Sequence, residues 1–158
     1  MKDLILINDN SISKSDCDYL IELFKTNGPT HDWLDYQVMT IHPLLDQKAH
    51  DIVMKVASKF RFGDINWCEI AKRPPGIGHP EHIDDAAGTG CASVTYLNDN
   101  FTGGETYFVD DIAVRPKTGR TLYFDGVYRE HGVHTVKDSA RYTLAVWYKK
   151  KPADWRQD

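Results

Sequence analysis

The sequence predicts a mainly β protein: a jelly-roll pair of sheets backed by two or more N-terminal helices, forming a single domain over residues 1–158. Three observations carry this. Apolar residues recur at helical spacing in two stretches before residue 63. From residue 64 the pattern changes to short runs rich in Val, Ile, Thr and aromatics, broken by Gly, Pro, Asn and Asp clusters. About eight such runs after two helices suit packed sheets with helices on one side. No repeat, low-complexity segment or linker divides the chain. Residues 1–63 read as helical support and 64–150 as the jelly-roll core.

Leu4 to Ile7 reads as a short buried strand. Ser13 or Ser15 can cap a first helix, because a hydroxyl there accepts from the free amides of the opening turn. Tyr19, Leu20, Leu23 and Phe24 give that helix an apolar face, and Asn27-Gly28-Pro29 ends it. Residues 31–40 read as irregular and aromatic, with Trp33 and Tyr36. Pro43 can open a second helix, its fixed φ suiting a first helical position. Leu44, Ala49, Ile52, Val53, Val56 and Phe60 follow at helical spacing, up to a stop at Gly63. Strands are expected near 65–71, 80–84, 91–97, 105–109, 111–115, 121–125, 131–136 and 140–149.

Hydrophobic content of 41% and charged content of 27% are ordinary for a globular protein. A net charge of -4 and a pI near 5.9 argue against a nucleic-acid-binding surface. The Lys149-Lys150-Lys151 run is short and reads as a solvated end. Cys17, Cys68 and Cys91 are odd in number and widely spaced, so neither a disulfide framework nor a cysteine metal site is expected. The chain therefore reads as intracellular, reduced and cytoplasmic. Leu4 to Ile7 is too short for a signal core or a membrane span, so no membrane association is expected.

His82-Ile83-Asp84 is the strongest chemical signal. Residues two apart on a strand point to one side, so an imidazole and a carboxylate can share a cation there. With one later His they form a two-imidazole, one-carboxylate set that holds Fe(II) on one face and leaves other positions open. His131 and His134 both stand late enough, His131 lying 49 positions past His82. His31, His42 and His50 read as surface residues and His79 as an exposed loop residue, with a place behind the ligands or facing the substrate as its alternative; Pro80 breaks any helix, and no His-Glu-x-x-His pattern exists. Gly76-Ile77-Gly78 and Gly88-Thr89-Gly90 lack a phosphate-loop context and read as turns. Arg141 opens a run through Tyr148 that reads as a buried strand. A buried cation requires an anion, and a dicarboxylate co-substrate would supply one.

Taken in order, these blocks resemble the 2-oxoglutarate- and Fe(II)-dependent dioxygenases, in their prolyl 4-hydroxylase-like branch. The resemblance runs from about Ile65 to Tyr148. It rests on His82-Ile83-Asp84, Tyr96-Leu97-Asn98, Gly103-Gly104-Glu105-Thr106, Arg115 through Arg120 leading into Leu122-Tyr123-Phe124, His131 with Val136, and Arg141 through Trp147. It implies a double-stranded β-helix with Fe(II) held by His82, Asp84 and His131. Members of the branch place the last ligand nine or ten residues before the Arg and about five before a Val, which fits His131 and not His134. The resemblance further implies 2-oxoglutarate as co-substrate, O2 as oxidant and ascorbate as an accessory. Arg141 and Tyr96 would hold the far carboxylate of 2-oxoglutarate, with Trp147 packed beside it and the metal.

One departure stands out. Many members carry a tyrosine just before a Pro-Gly ahead of His-x-Asp, whereas this chain reads Lys72-Arg73-Pro74-Pro75-Gly76. The mouth of the site is therefore altered. The substrate implied by the resemblance is a prolyl residue in a peptide or protein, with Trp33, Tyr36 and Arg73 as substrate-facing candidates. Trp33 and Tyr36 offer flat apolar surface with polar tips, so residues 30–37 read as a lid over the substrate. The competing expectation is that Trp33 plugs the helix–sheet core. Two other functional readings remain at this stage: the same chemistry on a free amino acid, another side chain or a nucleobase, and a non-catalytic metal-binding jelly roll.

Overall fold

The computed structural model describes residues 5–60, 64–84, 88–109 and 112–150. Leu4, the helix stop expected at Gly63 and Lys151 lie outside these residues. In chain order the elements are β1 (Ile5–Asn8), α1 (Lys14–Asn27), β2 (His31–Trp33), β3 (Tyr36–Thr40), α2 (Gln47–Ala57), β4 (Ile65–Arg73), β5 (His79–His82) and β6 (Thr89–Tyr96). They continue with β7 (Thr102–Gly103), β8 (Thr106–Phe108), β9 (Ala113–Val114), β10 (Thr121–Phe124), β11 (His131–Val133), β12 (Val136–Lys137) and β13 (Arg141–Lys149).

Local chemistry sets the helix ends. The Ser13 hydroxyl accepts from the Asp16 amide, and Gly28, with φ +75, returns its N–H to the Phe24 carbonyl. The second helix starts later than Pro43. Asp46, extended at φ -160, caps it by accepting from the Ala49 amide, while residues 42–46 form a turn and leave Leu44 fully exposed. The carboxylate cap satisfies an orphan amide, something Pro43 cannot do three residues earlier.

A seven-stranded sheet runs β1-β10-β6-β13-β4-β3-β2, and a four-stranded sheet runs β5-β11-β8-β9. β12 and β7 form a separate pair, so the single strand expected over 131–136 is broken between Val133 and Val136. The N-terminal part contributes strands as well as helices. β2 and β3 are a hairpin laid on β4, where an irregular stretch was expected.

Period-2 alternation then sorts the long strands by face. On β13, Tyr142, Leu144, Val146 and Tyr148 join Leu20, Phe24, Ile52 and Val56 of the helices in the main core. On β4, Cys68 and Ile70 point the same way. The alternate residues, Arg141, Thr143, Ala145 and Trp147 with Glu69, Ala71 and Arg73, face a cavity between the two sheets. Phe108, Val114, Leu122 and Phe124 close its far end as a smaller core. All three cysteines are buried, and burial pushes the Cys17 and Cys68 thiols up to about 11. Among the described residues no helix is long and apolar enough to cross a membrane.

Candidate active site

His82 ends β5, and its Cα is registered directly against His131, the first residue of β11. Asp84 follows two residues after His82, its amide donating to the Gly126 carbonyl at 2.8 Å. This brings one donor atom from each of His82, Asp84 and His131 within 4.8 Å of one another. Asp84 Oδ1 lies 3.5 Å from Nε2 of each imidazole. The other ring nitrogens are engaged: His82 Nδ1 with the Pro80 carbonyl at 2.9 Å, and His131 Nδ1 with the Arg129 carbonyl at 2.7 Å. A carbonyl can only accept, so each Nδ1 carries a proton, and in the neutral imidazole the Nε2 lone pair is the one turned to the cation position.

Asp84 is held from both sides. Its Oδ2 accepts from Trp147 Nε1 at 3.2 Å, leaving Oδ1 for the metal. Burial alone would raise its pKa, but the hydrogen bonds and charges of His131 and His82 outweigh that and keep it well below the usual carboxylate range. The Asp84 carboxylate, by accepting from the protonated His82 ring, in turn raises the pKa of His82. Gly126 is required by close approach, since a Cβ there would collide with the Asp84 carboxylate. Two imidazoles and an ionised carboxylate on one side of an open cavity fit Fe(II).

His134 is not a ligand. It is about half exposed, bonded through Nδ1 to Glu105 at 3.0 Å and stacked on Tyr107. His79, expected as an exposed loop residue, is in β5 and lines the cavity, stacked on His82 with ring centroids 4.1 Å apart. Pro80 rules out a helix there but not a strand.

Arg141 is buried in the cavity wall, 1% exposed. Its Nε donates to the Gly104 carbonyl at 2.8 Å and Nη2 to Thr106 Oγ1 at 3.1 Å. Gly104 adopts φ +70, and a Cβ there would crowd both Phe101 and the Arg141 stem. Tyr96 is fully buried behind this wall. Its hydroxyl donates to Thr106 Oγ1 at 2.7 Å, and its ring lies 5.2 Å from the Arg141 guanidinium. Thr106 Oγ1 thus accepts from both Tyr96 and Arg141, which leaves its own O–H free to donate to an occupant of the cavity.

Arg73 is also in the wall, 7% exposed, directly opposite Arg141 in the β4–β13 register. Its guanidinium lies 4.0 Å from the Tyr36 ring, and Nη2 donates to His79 Nδ1 at 3.3 Å. Burial first, and then the charges of Arg73 and His82, hold His79 down at about 4, which keeps that Nδ1 free to accept. Glu69, two positions further along the same face than Ala71, is 9% exposed. Burial pushes its carboxyl up to about 7.

The inner cavity has a volume of about 80 Å³ and opens into an outer groove of about 620 Å³. Trp33, Leu34, Trp67 and Ile83 rim the groove, all between 45% and 65% exposed. Trp33 is therefore not a core plug. Sequence reasoning missed Thr106, Glu69 and Gly126. Glu69 shares strand parity with Arg73, a signal that could have found it; Gly126 and the free donor of Thr106 depend on contacts between distant segments.

The sequence pattern of the 2OG-Fe(II) oxygenase superfamily matches residues 69–149, just over half of the chain. Prolyl 3-hydroxylase 3 from Homo sapiens is 36% identical over 74 residues, covering 42% of this chain and 10% of that protein. Prolyl 3-hydroxylase 1 from Rattus norvegicus is 32% identical over 74 residues, with the same coverage of 42% and 10%. The chain thus spans about a tenth of the length of these relatives. Among solved structures, the viral collagen prolyl hydroxylase vCPH from Paramecium Bursaria Chlorella virus-1, in its 2OG complex, superposes with a TM-score of 0.74 at 20% identity. That match covers 94% of this chain and 96% of the viral one. A Pseudomonas putida prolyl-4-hydroxylase gives a TM-score of 0.70 at 19% identity, covering 94% and 93%. The architecture described above is the double-stranded β-helix of these proteins.

Proposed function

The chain belongs to the 2OG-Fe(II) oxygenase superfamily, and on that premise we propose that it is a 2-oxoglutarate-dependent dioxygenase that hydroxylates a prolyl residue of a peptide or protein. The observation that carries the reaction class is the pairing, in one cavity, of the His82, Asp84 and His131 donors with the buried guanidinium of Arg141. Fe(II), when bound, supplies the activation of O2 that couples decarboxylation of 2-oxoglutarate to succinate with C–H hydroxylation.

The chain's own residues supply position and dryness. His82, Asp84 and His131 hold one face of the metal, with Trp147 fixing the Asp84 carboxylate. Arg141 anchors the distal carboxylate of 2-oxoglutarate, because a guanidinium fork matches a carboxylate with two parallel hydrogen bonds. Thr106 adds its free hydroxyl proton, and Tyr96 acts through Thr106 to set its orientation. The narrow inner cavity suits the small co-substrate, and the wide aromatic groove suits a larger chain. Trp33 and Tyr36 grip the apolar proline-containing segment there. The prolyl substrate is supported by the two prolyl 3-hydroxylases, the viral collagen prolyl hydroxylase and the prolyl-4-hydroxylase that the chain resembles.

The test is incubation of the protein with Fe(II), ascorbate, 2-oxoglutarate and Pro-containing peptides, with succinate and peptide mass both measured. Succinate formation with a gain of one oxygen on Pro is expected, and fragment analysis with NMR then reads which ring carbon carries it. Hydroxylation of free proline or another free amino acid, but of no peptide, would move the substrate to that class. Absence of any 2-oxoglutarate turnover would reduce the chain to a metal-binding jelly roll.

A further inference from the structure

The reaction proposed above needs one buried cation for the co-substrate, and the cavity contains two. Arg73 and Arg141 are Cα partners on adjacent antiparallel strands, with both side chains on the cavity face. Among the described residues, neither is hydrogen-bonded to a carboxylate. Arg141 uses Nε and Nη2 on Gly104 and Thr106. Arg73 uses Nη2 on His79 Nδ1, and its buried Nε has no hydrogen-bond partner among the described residues. Burial and the adjacent Arg141 charge both work against the Arg73 cation, bringing it down to about 10.

Retaining two like charges and an unmade hydrogen bond in a dry cavity is costly unless an anion completes them. Charge counting gives the same result. Arg73, Arg141 and Asp84 alone leave the cavity one positive charge in excess, before any metal is bound, so the cavity calls for an anionic occupant. Glu69 does not cancel the excess while its carboxyl holds a proton, and no ion pair joins it to Arg73 among the described residues. The Tyr36 ring against one side of the guanidinium and His79 at Nη2 fix its plane, so its Nε edge is pre-aimed. A fixed, planar, donor-only fork is a carboxylate reader.

We propose that Arg73 is a second carboxylate-binding residue of the active site, closing with Arg141 on the carboxylates of 2-oxoglutarate. This rests on the functional reading given above. It also bears on the altered mouth: this stretch carries no tyrosine, Arg73 offers a charged fork within it, and the Tyr96 hydroxyl is committed to Thr106 behind the wall.

Binding of 2-oxoglutarate to the Mn(II)-loaded protein, measured calorimetrically without turnover, tests it. R73Q and R73K should each weaken binding about tenfold or more, the loss expected for a charge-assisted hydrogen bond. Mn(II) affinity in the absence of 2-oxoglutarate should stay within a factor of about two, which a folding defect would not allow. A second measurement is made on the wild-type protein, with R73K serving only for assignment: in arginine-15N-labelled protein, the Nε–H resonance absent from R73K should move when 2-oxoglutarate is added. Repeating the titration with 2-oxobutyrate, which lacks the distal carboxylate, separates the two ends of the ligand. A loss abolished with 2-oxobutyrate assigns Arg73 to the distal end, and a loss that persists assigns it to the metal-proximal end.

The same chemistry could serve a carboxylate of the prime substrate. Unchanged 2-oxoglutarate binding, together with a raised KM only for substrates bearing a free carboxylate, would establish that source. The inference is overturned if neither ligand nor the Arg73 resonance responds. If the wild-type protein itself binds no 2-oxoglutarate, the functional reading fails, and this inference with it; normal wild-type binding with unaffected Arg73 variants removes this inference alone.

Discussion

Replacing Glu69 with Gln should stabilise the protein at alkaline pH and leave it almost unchanged near pH 4. Glu69 is 9% exposed on the cavity face of β4, and burial holds its carboxyl at about 7 against an ordinary value of 4.5. Below the ordinary value both folded and unfolded chains keep the proton, and the group is neutral in the balance. Above it the unfolded chain binds fewer protons than the folded one, so stability falls as pH rises, until the folded carboxyl has also ionised above 7. Each pH unit between the two values is worth about 1.4 kcal/mol, so the full loss is about 3 kcal/mol. Gln keeps the shape and the hydrogen-bonding capacity but does not titrate. Urea unfolding of both metal-free proteins between pH 4 and 8 should show the gap opening to about 3 kcal/mol in favour of E69Q, most of it between pH 5 and 7. A gap independent of pH would refute the reasoning. It would mean that Glu69 is ionised in the folded state throughout, with Arg73 as its effective counter-charge.

Further outcomes follow from the site geometry. His131→Ala should abolish 2-oxoglutarate turnover and Mn(II) binding, while His134→Ala, which removes a half-exposed contact with Glu105 and a stack on Tyr107, should leave most of both; the opposite pattern would reverse the ligand assignment. Arg141→Lys should raise the Kd of 2-oxoglutarate roughly 10- to 100-fold with metal affinity little changed, since Lys keeps the charge but cannot reach Gly104 and Thr106 with a planar fork. Trp33→Ala should shift unfolding stability by less than about 0.5 kcal/mol, because the ring is 56% exposed, while uncoupling 2-oxoglutarate decay from peptide hydroxylation. A loss of about 3 kcal/mol would return Trp33 to a core role.

The helical and strand periods were legible because burial imposes them locally. Cys17, Leu20 and Phe24 meet the core at helical spacing, and Tyr142, Leu144, Val146 and Tyr148 meet it at period two. Where local signals compete or vanish, the sequence misled. Pro43 and Asp46 are both helix openers, and only Asp46 reaches an orphan amide, at Ala49. All three residues of β2 are exposed, so no alternation marks that strand, and its place depends on β3 pairing with the distant β4.

The sequence by itself paired His82 with Asp84, since residues two apart on an extended chain lie on one side, and left His131 and His134 open as the third donor; the family resemblance, through the spacing to Arg141 and Val136, singled out His131. The sequence also pointed to a buried Arg141, because the strand run that carries it is rich in apolar residues from Leu144 to Trp147. Tertiary structure decided what those residues face. The register that sets His82 against His131 and Arg73 against Arg141 comes from pairing between strands far apart in the chain. Tyr96 shows the difference most plainly. Its burial could be read from its strand, but its hydroxyl is directed by Thr106 and Val114, which only the folded sheets bring to it. Strand parity is a property of neighbours along the chain, whereas a hydrogen-bond partner is a property of neighbours in space.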